Sequence, residues 1–177
     1  MSKTKVVIAL SGASGAGLGL KAARLVPKEG YETHVICTDH AQTVLDKEEG
    51  LILHDETNIA APTASGSFGA DVMLVAPCSM NTLAKIACGI ADNLVTRSAA
   101  VMIKEQKKLI LAPREMPFSP IALENMHKLA ALGVIIAPPV MGYYADTDTL
   151  EAMEHFVIGK WFDLMGIDNN LYKRWEG

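Results

Sequence analysis

Several short clusters in this sequence carry side chains suited to gripping an anionic, phosphorylated ligand. Ser79, Met80, Asn81 and Thr82 follow an apolar run, Val72 to Ala76, that is bounded by Pro77. Arg114 and Glu115 follow a second run, Leu109 to Ala112, that stops at Pro113. Arg97 and Lys104 stand seven residues apart, about two helical turns, so a continuous helix carries both cations on one face. Arginine meets phosphate through a planar fork and lysine as a point charge, and hydroxyls and backbone N–H groups complete such a cradle. Glu115 is the acid–base candidate, because a carboxyl beside a phosphate-binding cluster can protonate a leaving group. The plainer alternatives are a surface ion pair for Arg114 and Glu115, and a solvated lysine on an amphipathic helix for Lys160.

The elements that must position these groups read as alternating strands and helices. Lys5 to Leu10 and Tyr31 to Cys37 are β-branched and apolar enough for strands, as are the runs before Pro77 and Pro113 and the stretch Val134 to Ala137. The first strand breaks into Ser11-Gly12-Ala13-Ser14-Gly15-Ala16-Gly17 before a helical LGLKAARLV, which Pro27 and Gly30 close. Such a turn lets backbone N–H groups at a helix N-terminus approach a phosphate; it also suits close helix–sheet packing alone. It is neither a Walker loop nor a G-x-G-x-x-G fingerprint. Thr38 and Asp39 follow the second strand, and AQTVLDKEE beyond them reads as helical; Asp39 sits about where a dinucleotide-binding fold places its ribose-binding acid. Gly50 to Ala70 reads as the longest irregular stretch, and loops of that length tend to be functional. Asp92-Asn93 suits a turn or cap, Ser119-Pro120 starts a helix over IALENMHKLAAL, and Asp148 with Glu151 resembles a capping box for a last helix that closes at Gly166. The expected fold is α/β, a doubly wound, mostly parallel sheet in a Rossmann-like or flavodoxin-like three-layer sandwich. Ligands of such sheets bind where strands end, so the two proline-bounded strand ends should share one crevice.

Composition narrows the class. A chain of 177 residues, half of them hydrophobic, suits one domain with a sizeable core, residues 1–177, with a C-terminal tail of about 167–177 that could dock on a neighbouring subunit. A net charge of -4 with dispersed Lys and Arg argues against a nucleic-acid partner. Cys37, Cys78 and Cys88 are odd in number and lack a C-x-x-C pair, which fits a reducing compartment and supports no zinc site. His34 and His40 have no partner at metal spacing. The first apolar run is too short for a signal peptide and no stretch is long enough to span a membrane, so a soluble, cytoplasmic protein is expected.

Read together, SGASGA at 11–16, ASGSF at 64–68, APCSMNTLAKIACGIADNL at 76–94, KEQKKLILAPRE at 104–115, LENM at 123–126, GYY at 142–144 and RW at 174–175 resemble the UbiX-like flavin prenyltransferases, also known as aromatic acid decarboxylase small subunits. The resemblance covers nearly the whole chain. The P-x-S-A-N-T and P-x-M-N-x-x-M motifs of the related cysteine decarboxylases are absent.

The resemblance implies a homo-oligomer, commonly a dodecamer, that binds reduced FMN between subunits. It implies transfer of a dimethylallyl group from dimethylallyl monophosphate to N5 and C6 of the flavin, without a metal, giving prenylated FMN for a UbiD-type decarboxylase. It places Gly12, Ala13, Ser14, Thr38, Ser79, Met80, Asn81, Thr82 and Arg114 at the flavin, and Arg97, Lys104, Tyr144 and Lys160 at the donor phosphate. Glu115 falls to proton transfer, with Lys104 assisting, and Ser14 and Glu48 to the proton steps of ring closure; Trp175 could face the allylic cation. Three departures stand out: Lys160 where the family commonly has Arg, Leu18 where it has Tyr or Pro, and RSAA at 97–100 for the usual R-A-A-D. Alternatives are an FMN or prenylated-FMN carrier without transferase activity, a flavin-dependent decarboxylase, and an NAD-binding protein resting on Asp39.

Overall fold

The computed structural model describes residues 2–12, 16–38, 49–143 and 148–174. Its strands are β1 (Thr4–Ala9), β2 (Tyr31–Cys37), β3 (Leu51–Asp55), β4 (Val72–Cys78), β5 (Lys108–Pro113) and β6 (Ile135–Ile136). They form one six-stranded sheet in the order β3-β2-β1-β4-β5-β6, every neighbouring pair parallel. This is the doubly wound Rossmann order, and its direction of winding reverses between β1 and β4, where such sheets open a crevice. The described helices are α1 (Ala16–Leu25), α2 (Met80–Ala87), α3 (Leu94–Lys104), α4 (Pro120–Ala131) and α5 (Leu150–Met165).

Alternate residues of the central strands feed two cores. Val6, Ile8, Val72 and Leu74 pack with Ala22 and Ala23 of α1 and with Ile158, Trp161 and Phe162 of α5. Val7, Ala9, Met73 and Val75 pack with Leu83 of α2, Leu94 and Met102 of α3, and Leu129 of α4. Every residue of β4 is buried, which is why its text is a continuous apolar run instead of an alternation. Helix α1 comes unusually close to the sheet at Gly19: an added Cβ would overlap the Ala76 carbonyl oxygen and lie 2.6 Å from Leu10 Cδ2.

Several expectations change in detail. The stretch Gly50 to Ala70 is not wholly irregular: it contains β3 and two short 3-10 turns, Pro62–Ala64 and Gly66–Phe68. That strand is an edge with no fully buried residue, so its hydrophobic pattern is weak. Strand β4 runs through Pro77 to Cys78, because an irregularity in its pairing with β5 between Val75 and Cys78 accommodates a residue with no N–H. The helical text after Cys78 divides into α2 and α3, and Asn93 caps α3 in a reciprocal pair with Thr96. The cap of α5 is Thr149, which accepts from the Ala152 N–H, in place of the expected Asp148 box. Ser119 caps α4 and Gly166, at φ +77°, ends α5 as expected. The helical reading of AQTVLDKEE, with Asp39 and His40, lies outside the described residues.

Candidate functional site

The crevice at the winding reversal is lined with hydroxyls. Leu10 and Ser11 leave β1 tied to its neighbours, Leu10 N–H donating to Ile36 O at 2.9 Å and Ser11 N–H to Pro77 O at 3.1 Å. The Ser11 hydroxyl bonds to that of Thr82 and lies 3.2 Å from that of Ser79, and Ser79 and Thr82 are themselves 3.0 Å apart. Ser79 is the N-cap of α2, accepting from the Thr82 N–H at 3.2 Å. Gly12 turns away at φ +99°, a conformation that favours glycine, with an added Cβ only 3.4 Å from Ser79 Cβ. Ser11 was not singled out from the sequence; its signal was the SGASG turn itself. The first turn of α2, Met80 to Thr82, directs its N–H end to the same edge, where helix geometry favours an anion. Buried Cys78 is no nucleophile here: burial pushes its thiol up to about 12.

Next to this crevice lies the Arg114–Glu115 strand end. Cys78 and Pro113 are register partners, so Ser79 and Arg114 leave adjacent strands side by side, as expected of a shared crevice. Arg114 and Glu115 are exposed, and with Met116, Phe118, Pro138 and Val140 they border a cleft of about 650 Å³. The Glu115 carboxylate accepts the Met116 N–H at 3.2 Å, a local contact that leaves it facing solvent. Thr38 follows β2 at the same sheet edge and is exposed.

Arg97 and Lys104 do share the exposed face of α3, but Lys104 lies far from this crevice. Helix α3 descends toward the start of β5, and Lys107 pairs at 4.0 Å with Asp71, which immediately precedes β4. Lys104 therefore sits at the N-terminal edge of the sheet. Arg114 leaves the opposite edge, one length of β5 away, about 20 Å for its six residues. What the two cations meet instead is the 62–68 segment. Arg97 Nε donates to Ala64 O at 3.2 Å, and Ser98 Oγ to Thr63 Oγ1 at 3.0 Å. Lys104 pairs with Glu105, and both crowd Gly66, where an added Cβ would overlap the Glu105 carboxylate and lie 3.0 Å from Lys104 Nζ. Ser65 and Ser67, joined through their hydroxyls at 2.9 Å, complete a second polar cluster. The ASGSF text held its signal.

Lys160 belongs to neither cluster. It lies on α5 at the rim of an apolar cavity of about 300 Å³ lined by Met141, Gly142, Phe156 and Trp161, whose indole N–H donates to Ala137 O at 3.0 Å. The described tail lies along α5 of its own chain, anchored by Ile167 N–H to Phe162 O at 2.9 Å and by Arg174 to Asp163. Ala13, Ser14, Glu48, Tyr144 and Trp175 lie outside the described residues. Among the described residues, no group of three or more His, Cys, Asp and Glu could hold a metal ion, and no helix is long and apolar enough to cross a membrane.

The Flavoprotein family matches residues 1–160. The flavin prenyltransferase UbiX of Helicobacter pylori J99 is 46% identical, with 97% of this chain and 98% of that protein aligned. The chain belongs to the UbiX-like flavin prenyltransferases. Among solved structures, this flavin prenyltransferase chain superimposes on AnUbiX (PadA1) in complex with FMN and dimethylallyl pyrophosphate with a TM-score of 0.89 at 36% identity, covering 99% of both chains. It superimposes on a dodecameric FMN-dependent UbiX-like decarboxylase from Escherichia coli O157:H7 with a TM-score of 0.86 at 38% identity, covering 98% of this chain and 100% of that one. The residues present suit a flavin mononucleotide: at Gly12 the backbone itself forms the wall, and hydroxyls with a helix N-terminus stand beside it.

Proposed function

We infer that this protein is a flavin prenyltransferase that joins a dimethylallyl group, from a dimethylallyl phosphate, to N5 and C6 of reduced FMN. The observation that carries the reading is the pairing of a hydroxyl-lined crevice at the β1/β4 reversal with Arg114 and Glu115 on the adjacent strand end. Gly12, Thr38, Ser79, Met80, Asn81, Thr82 and Arg114 hold the flavin in this reading, together with Ala13 and Ser14. The reduced flavin supplies the nucleophilic ring positions when bound. Departure of phosphate from an allylic carbon needs cations on the leaving group and a proton for it, so no metal is required when side chains supply both. Arg97, Lys104, Lys160 and Tyr144 hold the phosphate, and Glu115 protonates it. Ser14 and Glu48 serve the proton steps of ring closure, and Trp175 is assigned to stabilising the allylic cation.

Within one chain Lys104 cannot reach Glu115, so the complete site requires a second copy. One copy brings the Arg97–Lys104–Gly66 cluster to another copy's Arg114–Glu115 cleft. The rim of that cleft supports this: Met116 is 92% and Val140 66% exposed, apolar surface of the kind an interface covers. We take the assembly to be a dodecamer of single flavoprotein domains in the cytoplasm, with a UbiD-type decarboxylase receiving the product.

The direct test is anaerobic incubation with reduced FMN and dimethylallyl monophosphate, followed by mass spectrometry of the extracted flavin. A flavin heavier by one five-carbon unit establishes the transferase. Unmodified FMN with both mono- and diphosphate donors, from protein that binds FMN, refutes it in favour of a carrier.

A further inference from the structure

The last helix carries a clamp three residues beyond Lys160. Asp163 grips Arg174 with both carboxylate oxygens, Nη2 donating to Oδ1 at 2.7 Å and Nη1 to Oδ2 at 3.0 Å. The same carboxylate accepts the Tyr172 hydroxyl at 2.5 Å and Asn169 Nδ2 at 3.0 Å. A planar fork on a carboxylate fixes direction as well as distance. The tail is therefore held in one register along α5.

That register lays the Tyr172 ring on the helix next to Lys160. The ring rests on Gly159, where an added Cβ would overlap it, and meets the Phe156 ring edge-on at 5.2 Å between centroids. Lys160 Nζ lies 5.9 Å from the centre of the Tyr172 ring, and Arg174 Cζ 5.2 Å from it. A lysine is a point charge on a flexible stem, and an aromatic face gives it a preferred resting place. Arg174 is already paired with Asp163, while Lys160 stands at the mouth of the apolar cavity bordered by Gly142 and Trp161.

We propose that Asp163 is a positioning residue for Lys160: by pinning Arg174 and Tyr172 it sets the ring that aims the Lys160 ammonium at the cavity mouth. The proposal rests on the reading of Lys160 as a donor-phosphate ligand. It also accounts for a lysine at a position where a self-orienting guanidinium is the common choice, since the tail supplies the orientation that the side chain lacks.

The test is a double-mutant cycle on the full-length assembly, with donor KM, kcat and FMN affinity measured for Lys160→Ala, Asp163→Ala and the pair. Asp163→Ala should raise the donor KM roughly three- to tenfold, the scale of a lost cation–π contact, with FMN affinity and kcat unchanged. The pair should be no worse than Lys160→Ala alone. Tyr172→Ala should match Asp163→Ala, and Tyr172→Phe, which keeps the ring, should recover part of the loss. If Asp163→Ala gives no folded assembly, Tyr172→Ala and Tyr172→Phe carry the same cycle. An effect of Lys160→Ala without one of Asp163→Ala overturns the proposal and leaves the phosphate role standing. Full additivity overturns it as well, because Asp163 then acts through something other than Lys160. No effect of either variant on donor KM overturns the phosphate role of Lys160 and the proposal together.

Discussion

Mixing two inactive variants tests whether the site is assembled from different copies. Lys104 and Glu115 stand at opposite edges of the sheet, separated by the length of β5. Lys104→Ala removes a proposed phosphate cation, and Glu115→Gln removes the proposed proton donor while keeping the side chain's shape. Each alone should cut turnover by ~10² or more, the scale of a lost acid–base or charge-stabilising group. If each site draws Lys104 from one copy and Glu115 from another, a complete site forms where a copy carrying Glu115→Gln donates its intact lysine to a copy carrying Lys104→Ala, whose glutamate is intact. With equal, random mixing each of those two conditions is met half the time, so roughly a quarter of sites are intact. The assay is co-refolding or co-expression of the two variants, followed by prenylated flavin formed per chain. Recovery to about a quarter of the parent rate is expected, against the residual rate of either variant alone, and the doubly substituted chain mixed equally with parent protein should show about the same quarter. Mixed assemblies no more active than either variant alone would refute the shared site, provided mass spectrometry shows that the subunits exchanged.

Other consequences are more local. Glu115→Gln by itself should retain FMN, read by flavin fluorescence, while product formation slows by ~10²; undiminished turnover removes Glu115 from the mechanism. Gly19→Ala gains at most about 1 kcal/mol in helix propensity but meets a backbone carbonyl that cannot swing aside. Overpacking should win by about 2 kcal/mol, lowering the melting temperature by several degrees. For Asp163 the Arg174 guanidinium, then Tyr172 and Asn169, hold the carboxyl at about 2 against an ordinary 3.8. Its clamp is therefore complete above the ordinary value and is lost as pH falls toward 2, which tail-amide hydrogen exchange should follow. His54 is pushed down by burial and by His34, whose Nδ1 lies 2.8 Å from His54 Nε2 while Glu32 takes the other His34 nitrogen, with Lys5 and Phe68 alongside. An unfolded chain takes up that proton near 6.5 and the folded one resists, so stability should decline as pH falls below about 6.5, and His54→Gln should flatten the decline in thermal melts.

The fold was legible wherever burial is two-sided. Strands β1, β4 and β5 are dense apolar runs because both faces are covered, and their ends were marked by proline or glycine. Strand β3 was not, because it is an edge whose apolar run is only Leu51 to Leu53, with Ile52 exposed. The candidate site was legible by residue type but not by arrangement. Ser79, Arg114 and Glu115 were correctly expected on adjoining strand ends, since proline-bounded strands of a parallel sheet deliver their next residues to one edge. Sequence spacing also put Arg97 and Lys104 on one helical face, yet spacing along a helix says nothing of which edge of the sheet that helix descends to. The backbone carbonyl of Ala64 and the missing side chain of Gly66, which receive those cations, have no chemistry visible in a residue list.

That separation gives the chain a reason to oligomerise beyond stability. An allylic phosphate must be gripped at one end by cations and met at the other by an acceptor, and a water-filled cleft weakens both interactions. In one chain the Arg114–Glu115 cleft is open and its acid faces solvent. Docking the Arg97–Lys104 cluster of another copy against it would at once add the phosphate cations, cover the exposed Met116 and Val140, and exclude water from Glu115. Catalytic competence then depends on protein concentration as assembly does. Dilution below the assembly threshold should abolish prenyl transfer while the Ser11–Ser79–Thr82 crevice of the separated chain keeps a weaker hold on FMN, and transfer that persists in demonstrably monomeric protein would contradict this account.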